Sequence, residues 1–253
     1  MSKLTQFFKR IWPKKSKPER IDLVYPVSWD QMDYNDFRNV CQILDQPMSN
    51  HDKLFLCLCK LANITPDNPA FYNPKAIKDK MPFVIDGKRY IIGAPVIEEA
   101  CHQLRFIFED QDGLPPCPFK NVHRMIHGTS FEQFYTVDSY LLRYAAEKNG
   151  TYLKEAANVL TNGQKRKFLP WERTAFIIWW NAVKRQLMKK YPYVLEEGSG
   201  ITDKSQADIL LDLLSCVNDD KPQDNDKILK TDVHSVLYSL NKIYEDAKRN
   251  AAK

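Results

Sequence analysis

The spacing of apolar residues is the feature of this sequence that most restricts its fold. From about residue 28 onward, apolar side chains recur every three to four positions in successive segments, which predicts amphipathic helices that each bury one face. The most aromatic of these segments covers residues 170–190 and includes Trp179 and Trp180. It begins with Pro170, which suits the first turn of a helix. We therefore expect a mainly α fold.

One short segment departs from this pattern and predicts β structure. Residues 83–85 and 89–92 flank Asp86-Gly87, a pair that supplies the positive φ angles of a tight hairpin turn. An isolated hairpin is marginally stable in water, so this one is expected to lie against the helices. The predicted fold is thus a multi-helix globular body with one small β-hairpin at about residues 83–92.

The first twenty residues carry the positive charge of the whole chain. They contain seven basic residues and one acid, a net charge of +6, whereas the complete chain of 253 residues nets +5. The body after residue 20 is therefore nearly neutral. The apolar residues of this arm share one helical face, which predicts an amphipathic helix ended by Pro13. They are Leu4, Phe7, Phe8, Ile11 and Trp12.

These changes in composition predict three parts. Residues 1–20 form the basic amphipathic arm and its linker, and residues 21–197 form the main helical domain with the hairpin. Residues 198–253 form a C-terminal helical pair packed on that domain, after a linker marked by Gly198 and Gly200. No apolar run approaches the roughly 20 residues that a membrane span needs, and no secretory signal is evident, so a cytoplasmic protein is expected.

The motifs that normally carry chemistry are absent from the sequence. It has no Gly-rich phosphate loop and no Gly-x-Ser-x-Gly elbow, so we expect neither catalysis nor a cofactor. Five potential zinc ligands do fall within 27 residues, but without a Cys-x-x-Cys pair or a His-Glu-x-x-His motif, and an ordinary helix–loop–helix explains the segment better. These candidates are Cys101, His102, Cys117, His123 and His127.

Two surfaces have the composition of docking sites. The apolar face of the arm, together with Trp179 and Trp180, is predicted to bind a protein partner, although the arm could also fold back on its own body or lie on a membrane surface. The alternative partner is nucleic acid, with lysines on phosphates and tryptophans stacked on bases over residues 179–190. The cations of that alternative are Lys9, Arg10, Lys14, Lys15, Lys184, Arg185, Lys189 and Lys190.

The order of several short motifs resembles a known family. Pro26-Val27-Ser28-Trp29-Asp30 precedes the first helix, the hairpin follows, and Phe-Glu-Gln-Phe at residues 131–134 opens a paired-helix region before a Leu/Val-rich final helix. Over about residues 24–248, this order resembles the tail assembly chaperones encoded among the tail genes of tailed phages and prophages. The basic arm departs from that family.

The resemblance implies a non-enzymatic role. Such proteins bind the long, hydrophobic tape-measure protein and keep it soluble until tail tube subunits assemble around it. The expected partner is then a tape-measure or other tail protein, and the expected location is the cytoplasm of the host cell.

Overall fold

The computed structural model describes residues 23–67, 80–109, 112–164, 167–194, 206–218 and 221–251. The predicted N-terminal arm, residues 1–20, lies outside these ranges. The described residues are mainly α-helical with one small antiparallel sheet, which confirms the predicted fold class. Their α-helices are α1 (Tyr34–Leu44), α2 (Asn50–Leu61), α3 (Ala94–Gln103), α4 (Phe131–Glu147), α5 (Gly150–Leu160), α6 (Pro170–Lys190), α7 (Gln206–Asn218), α8 (Asn225–Leu229) and α9 (Val233–Ala251).

The chain divides into two compact units. Among the described residues, unit 1 comprises those within 23–26 and 48–105, and unit 2 comprises those within 27–47 and 106–251. This division differs from the predicted boundaries at 20 and 197. The hairpin belongs to unit 1, apart from the large set of helices, and the C-terminal helices belong to unit 2 because α9 packs against α4 and α7 there.

Unit 1 is built around helix α2, which packs on a sheet and on α3. The sheet has three antiparallel strands in the order β1-β2-β3, namely β1 (Thr65–Pro66), β2 (Lys80–Ile85) and β3 (Lys88–Gly93). Asp86 and Gly87 both have positive φ angles, 48° and 73°, as the predicted hairpin turn requires. The rings of Phe55 on α2 and Phe83 on β2 lie 6.3 Å apart and join helix to sheet.

Helix α6 is the centre of unit 2. It begins and ends at the residues that the sequence predicts, and it contacts other elements on several sides. The ring of Trp171 meets Tyr34 of α1 at 6.3 Å, and the ring of Trp180 meets Phe134 of α4 at 5.5 Å. On a further side, Phe176 lies 5.1 Å from Phe119 in the loop before α4.

Two of the indole N–H groups in this core have polar partners, whereas the buried Nε1 of Trp171 has none. Trp179 donates from Nε1 to the backbone oxygen of Arg124 at 3.0 Å. Trp180 donates from Nε1 to the Asp138 carboxylate at 3.1 Å. A buried donor without a partner costs about 1–3 kcal/mol, so these two bonds are what allow both tryptophans to sit inside the unit.

The helical pair α4–α5 packs beside α6, and its ends are fixed by side-chain caps. Ser130 and Gln133 form a reciprocal capping box at the start of α4. Asn149 caps α5 by accepting a hydrogen bond from the N–H of Thr151 at 3.0 Å. The connection between the two helices turns at Lys148, whose φ is 54°.

Replacing Phe176 with alanine tests the central position of α6. Phe176 is fully buried between other aromatic rings, so Phe176→Ala should lower the free energy of unfolding by about 3–5 kcal/mol. Leu142→Ala is the matched control, because Leu142 is 49% exposed and its truncation should cost less than about 0.5 kcal/mol. Urea unfolding followed by circular dichroism measures both. Similar losses in the two variants would contradict this packing.

Candidate functional site

The tryptophans predicted to dock a partner are buried. Trp179 is 0% exposed and Trp180 is 1% exposed, so the prediction that they form an accessible surface is wrong. The physical reason is that α6 is covered on opposite sides, by the loop before α4 and by α4 itself. The other predicted docking residues, Leu4, Phe7, Phe8, Ile11 and Trp12, lie outside the described residues.

The predicted nucleic-acid surface loses its stacking groups for the same reason. Its cations also have partners within unit 2: Lys184 lies 2.9 Å from the Asp138 carboxylate, and Lys189 pairs with Asp112. Lys190 lies over the ring of Tyr191 at 5.3 Å. Arg185 is half-buried. The other predicted cations, Lys9, Arg10, Lys14 and Lys15, fall outside the described ranges.

The five potential zinc ligands are divided between the two units. Cys101 and His102 are on α3 in unit 1, whereas Cys117, His123 and His127 belong to the loop before α4 in unit 2. Within the described part of the chain, no group of three or more His, Cys, Asp or Glu side chains is placed to hold a metal ion.

The thiols in this set are held protonated. Burial raises the pKa of Cys101 to about 11 and that of Cys117 to about 12. Metal ligation and nucleophilic attack both use the thiolate, which these two side chains do not supply near neutral pH.

The open edge of the small sheet is the feature of unit 1 best suited to binding. Strand β3 pairs with β2 on one side, from Lys80↔Gly93 to Ile85↔Lys88, and with no other strand among the described residues. An edge strand of this kind presents unpaired backbone groups that can pair with another chain. We refer to the outer side of residues 88–93 as the β3 edge.

The hairpin register identifies which backbone groups point outward. A two-residue turn makes Ile85↔Lys88 a hydrogen-bonded pair, and hydrogen-bonded and non-hydrogen-bonded pairs then alternate along the ladder. Arg89 and Ile91 are at non-hydrogen-bonded positions, so their N–H and C=O groups point away from β2. The β3 edge therefore offers two donors and two acceptors at a spacing that matches an added strand.

Proline in β2 fits the same register. Pro82 pairs with Ile91 at a non-hydrogen-bonded position, so its missing N–H would have pointed away from β3. Its carbonyl oxygen accepts a hydrogen bond from the N–H of Asp67 at 3.0 Å on the β1 side. Proline thus leaves the β2–β3 ladder complete.

The side chains of the β3 edge add an apolar contact. Ile92 is 5% exposed and faces the core, which places its neighbour Ile91 on the opposite face, where it is 66% exposed. Val84 of β2 lies half-buried on that same outer face. Arg89 forms an ion pair with Asp67 at 2.6 Å. An extended, apolar segment is the ligand that such an edge can hold.

Sequence reasoning identifies the hairpin but not its use as a site. The Ile91-Ile92 pair is the sequence signal that could have identified this edge. Adjacent residues of a strand face opposite sides of the sheet, so a small sheet covered by helices on one face must expose either Ile91 or Ile92.

Comparison with known proteins gives no relative for this chain. No family model matches it, and no curated protein or solved structure matches it significantly. Among the helices in the described ranges, none has the length and apolarity to cross a membrane.

Two proline substitutions test the assignment of the β3 edge. Ile91→Pro removes an outward N–H and should leave the hairpin folded. Tyr90→Pro removes the N–H that pairs with Phe83 and should lower the free energy of unfolding by about 1–3 kcal/mol more than Ile91→Pro does. Urea unfolding measures the difference. Equal losses in the two variants would mean that the register of β3 is misassigned.

Proposed function

We propose that this protein is a non-enzymatic assembly protein, in the manner of the tail assembly chaperones it resembles, and that it keeps a tape-measure-like protein soluble in the cytoplasm of the host cell. The observation that carries the proposal is the β3 edge, where outward backbone groups of Arg89 and Ile91 accompany an exposed apolar side chain. Strand addition at this edge requires neither catalysis nor a cofactor.

Backbone pairing suits a partner that is long and variable in sequence. Main-chain hydrogen bonds supply affinity whatever the side chains are, and alternate side-chain pockets add moderate specificity. Ile91 and Val84 would contact every second residue of the added segment, on the face that the two side chains share. A chaperone that must hold many stretches of one hydrophobic protein needs this combination of general attraction and weak selectivity.

The basic residues at the start of β3 are consistent with this use. Open edges invite aggregation, and natural proteins often protect them with charged side chains, especially lysine. Lys88 and Arg89 occupy the first two positions of the strand and are exposed. They discourage pairing between two copies of the same edge, because like charges would be brought together, while still permitting a neutral or acidic partner strand.

Co-expression with a tape-measure-type protein of a tailed phage tests the proposal. The wild-type chain should raise the soluble fraction of that protein and co-elute with it on gel filtration. Ile91→Pro removes one outward donor and should weaken the complex about tenfold, as expected for a loss of about 1.4 kcal/mol. Leu142→Lys, a change at an exposed residue of unit 2, is the control and should bind normally.

Two results would overturn the proposal. One is that the wild-type chain forms no complex and leaves the solubility of the tape-measure-type protein unchanged. The other is a complex that Ile91→Pro and Leu142→Lys form equally well, which would place the contact away from the β3 edge.

A further inference from the structure

The start of α9 is attached to the rest of unit 2 by a short backbone ladder. Ser130 and Asp232 form an antiparallel bridge. On either side of it, the N–H of Phe131 donates to the oxygen of Thr231 and the N–H of Val233 donates to the oxygen of Thr129, both at 2.9 Å. The first residues of α4 and α9 are therefore held together at one point.

The carboxylate of Asp232 strengthens this attachment. It accepts hydrogen bonds from the N–H of Gly128 at 2.7 Å and from the N–H of His234 at 2.9 Å. Burial alone would raise the pKa of Asp232, but these two N–H groups and the nearby imidazoles outweigh it and lower that pKa. Asp232 is thus an anion throughout the range in which histidines titrate.

His234 connects three segments through its ring. It is 6% exposed, and its Nε2 lies 2.7 Å from the backbone oxygen of Met125, so Nε2 carries the proton. In the neutral ring Nδ1 is then an acceptor, and the hydroxyl of Tyr191, one residue beyond α6, donates to it at 3.0 Å. The neutral form of His234 joins α9, α6 and the loop before α4.

A second histidine stacks on this ring. The centroids of His127 and His234 are 4.0 Å apart with an angle of 25° between the rings, and His123 lies 4.8 Å from His127 on its other side. His127 is exposed and can exchange a proton with water. The charged and titratable groups that face it are His123 from its own loop, His234 and Asp232 from the start of α9, and Lys190 from the end of α6.

We propose that the stacked His127–His234 pair is an acid-sensitive latch, and that proton uptake by His127 releases the start of α9 from the 123–131 loop and from the end of α6. A positive His127 ring would be repelled by the ammonium of Lys190, whose Nζ lies 3.5 Å from Nδ1 of the stacked His234 ring.

The direction of the pH dependence follows from the environment of His127. Burial, His234, His123 and Lys190 lower the pKa of His127, and Asp232 opposes them only in part. A lowered pKa means that the opened form binds protons more readily than the closed form does. The stability that the closed latch contributes is therefore present above the ordinary histidine pKa of about 6.5 and is lost as the pH falls through the folded-state pKa.

Hydrogen–deuterium exchange on the full chain at pH 7.5 and pH 5.5 tests the latch. Protection factors, corrected for the intrinsic pH dependence of exchange, should fall in residues 123–131 and the first turns of α9 while the middle of α6 stays protected. The decrease in protection factor approaches about tenfold per pH unit for each additional proton that the opened form binds. His127→Phe keeps a ring against His234 but cannot be protonated, so its protection should fall less.

The matched control is His51→Phe, which changes an exposed histidine on α2 in unit 1 and should behave like the wild type. Equal acid-dependent loss in the wild type and His127→Phe would overturn the proposal, and so would wild-type protection that does not change between the two pH values. If His127→Phe does not fold at pH 7.5, His127→Asn provides the same comparison.

Discussion

The burial of α6 is the constraint on which the rest of unit 2 depends. A helix that carries large aromatic side chains on opposite faces must be covered on both, and a buried indole N–H is stabilised where it finds a hydrogen-bond acceptor inside. Trp180 obtains its acceptor from Asp138 on α4, and Trp179 obtains its acceptor from the backbone at Arg124. These two bonds fix the position of α4 and of the loop before it, since neither element can move without leaving an indole N–H unpaired.

The same constraint positions the histidine junction. Because α6 ends at Lys190, Tyr191 follows directly and its hydroxyl reaches His234. Because Trp179 holds the backbone of Arg124, the next residue, Met125, presents its carbonyl oxygen to the other nitrogen of the same ring. The buried histidine thus depends on the aromatic core for both of its partners, and α9 is attached through groups that the core has already placed.

Local patterns in the sequence predict the elements of this fold well. The bounds of α6, the Asp86-Gly87 turn and the capping box at Ser130 all follow from short-range chemistry. Cap positions are harder to predict where several polar residues compete: Asp33 caps α1, whereas Ser28 precedes only a short 3₁₀ turn at Trp29–Gln31. At α2, Ser49 is the cap and its neighbour Asn50 is the first helical residue.

Tertiary features are harder to predict because they join distant residues. Spacing along α6 places Trp179 and Trp180 about 100° apart around the helix axis, but it cannot show that both side chains are covered. The cluster around His127 escapes notice for a similar reason, since His234 is more than a hundred residues away and becomes its neighbour only through the bridge at Asp232. Strand β1, with two residues, is too short to give an alternating pattern.

The ion pairs among the described residues contribute little to the stability of the two units. Arg89–Asp67, Arg124–Asp30 and Lys184–Asp138 are all at least partly exposed, and pairs of that kind contribute at most about 1 kcal/mol each. They orient loops more than they stabilise the units. His234 and Asp232 differ from these ion pairs, because their polar atoms bond to backbone groups of separate segments. The ring of His234 is also buried within unit 2. Aromatic burial therefore accounts for most of the stability of unit 2, and this small polar junction determines where α9 is attached.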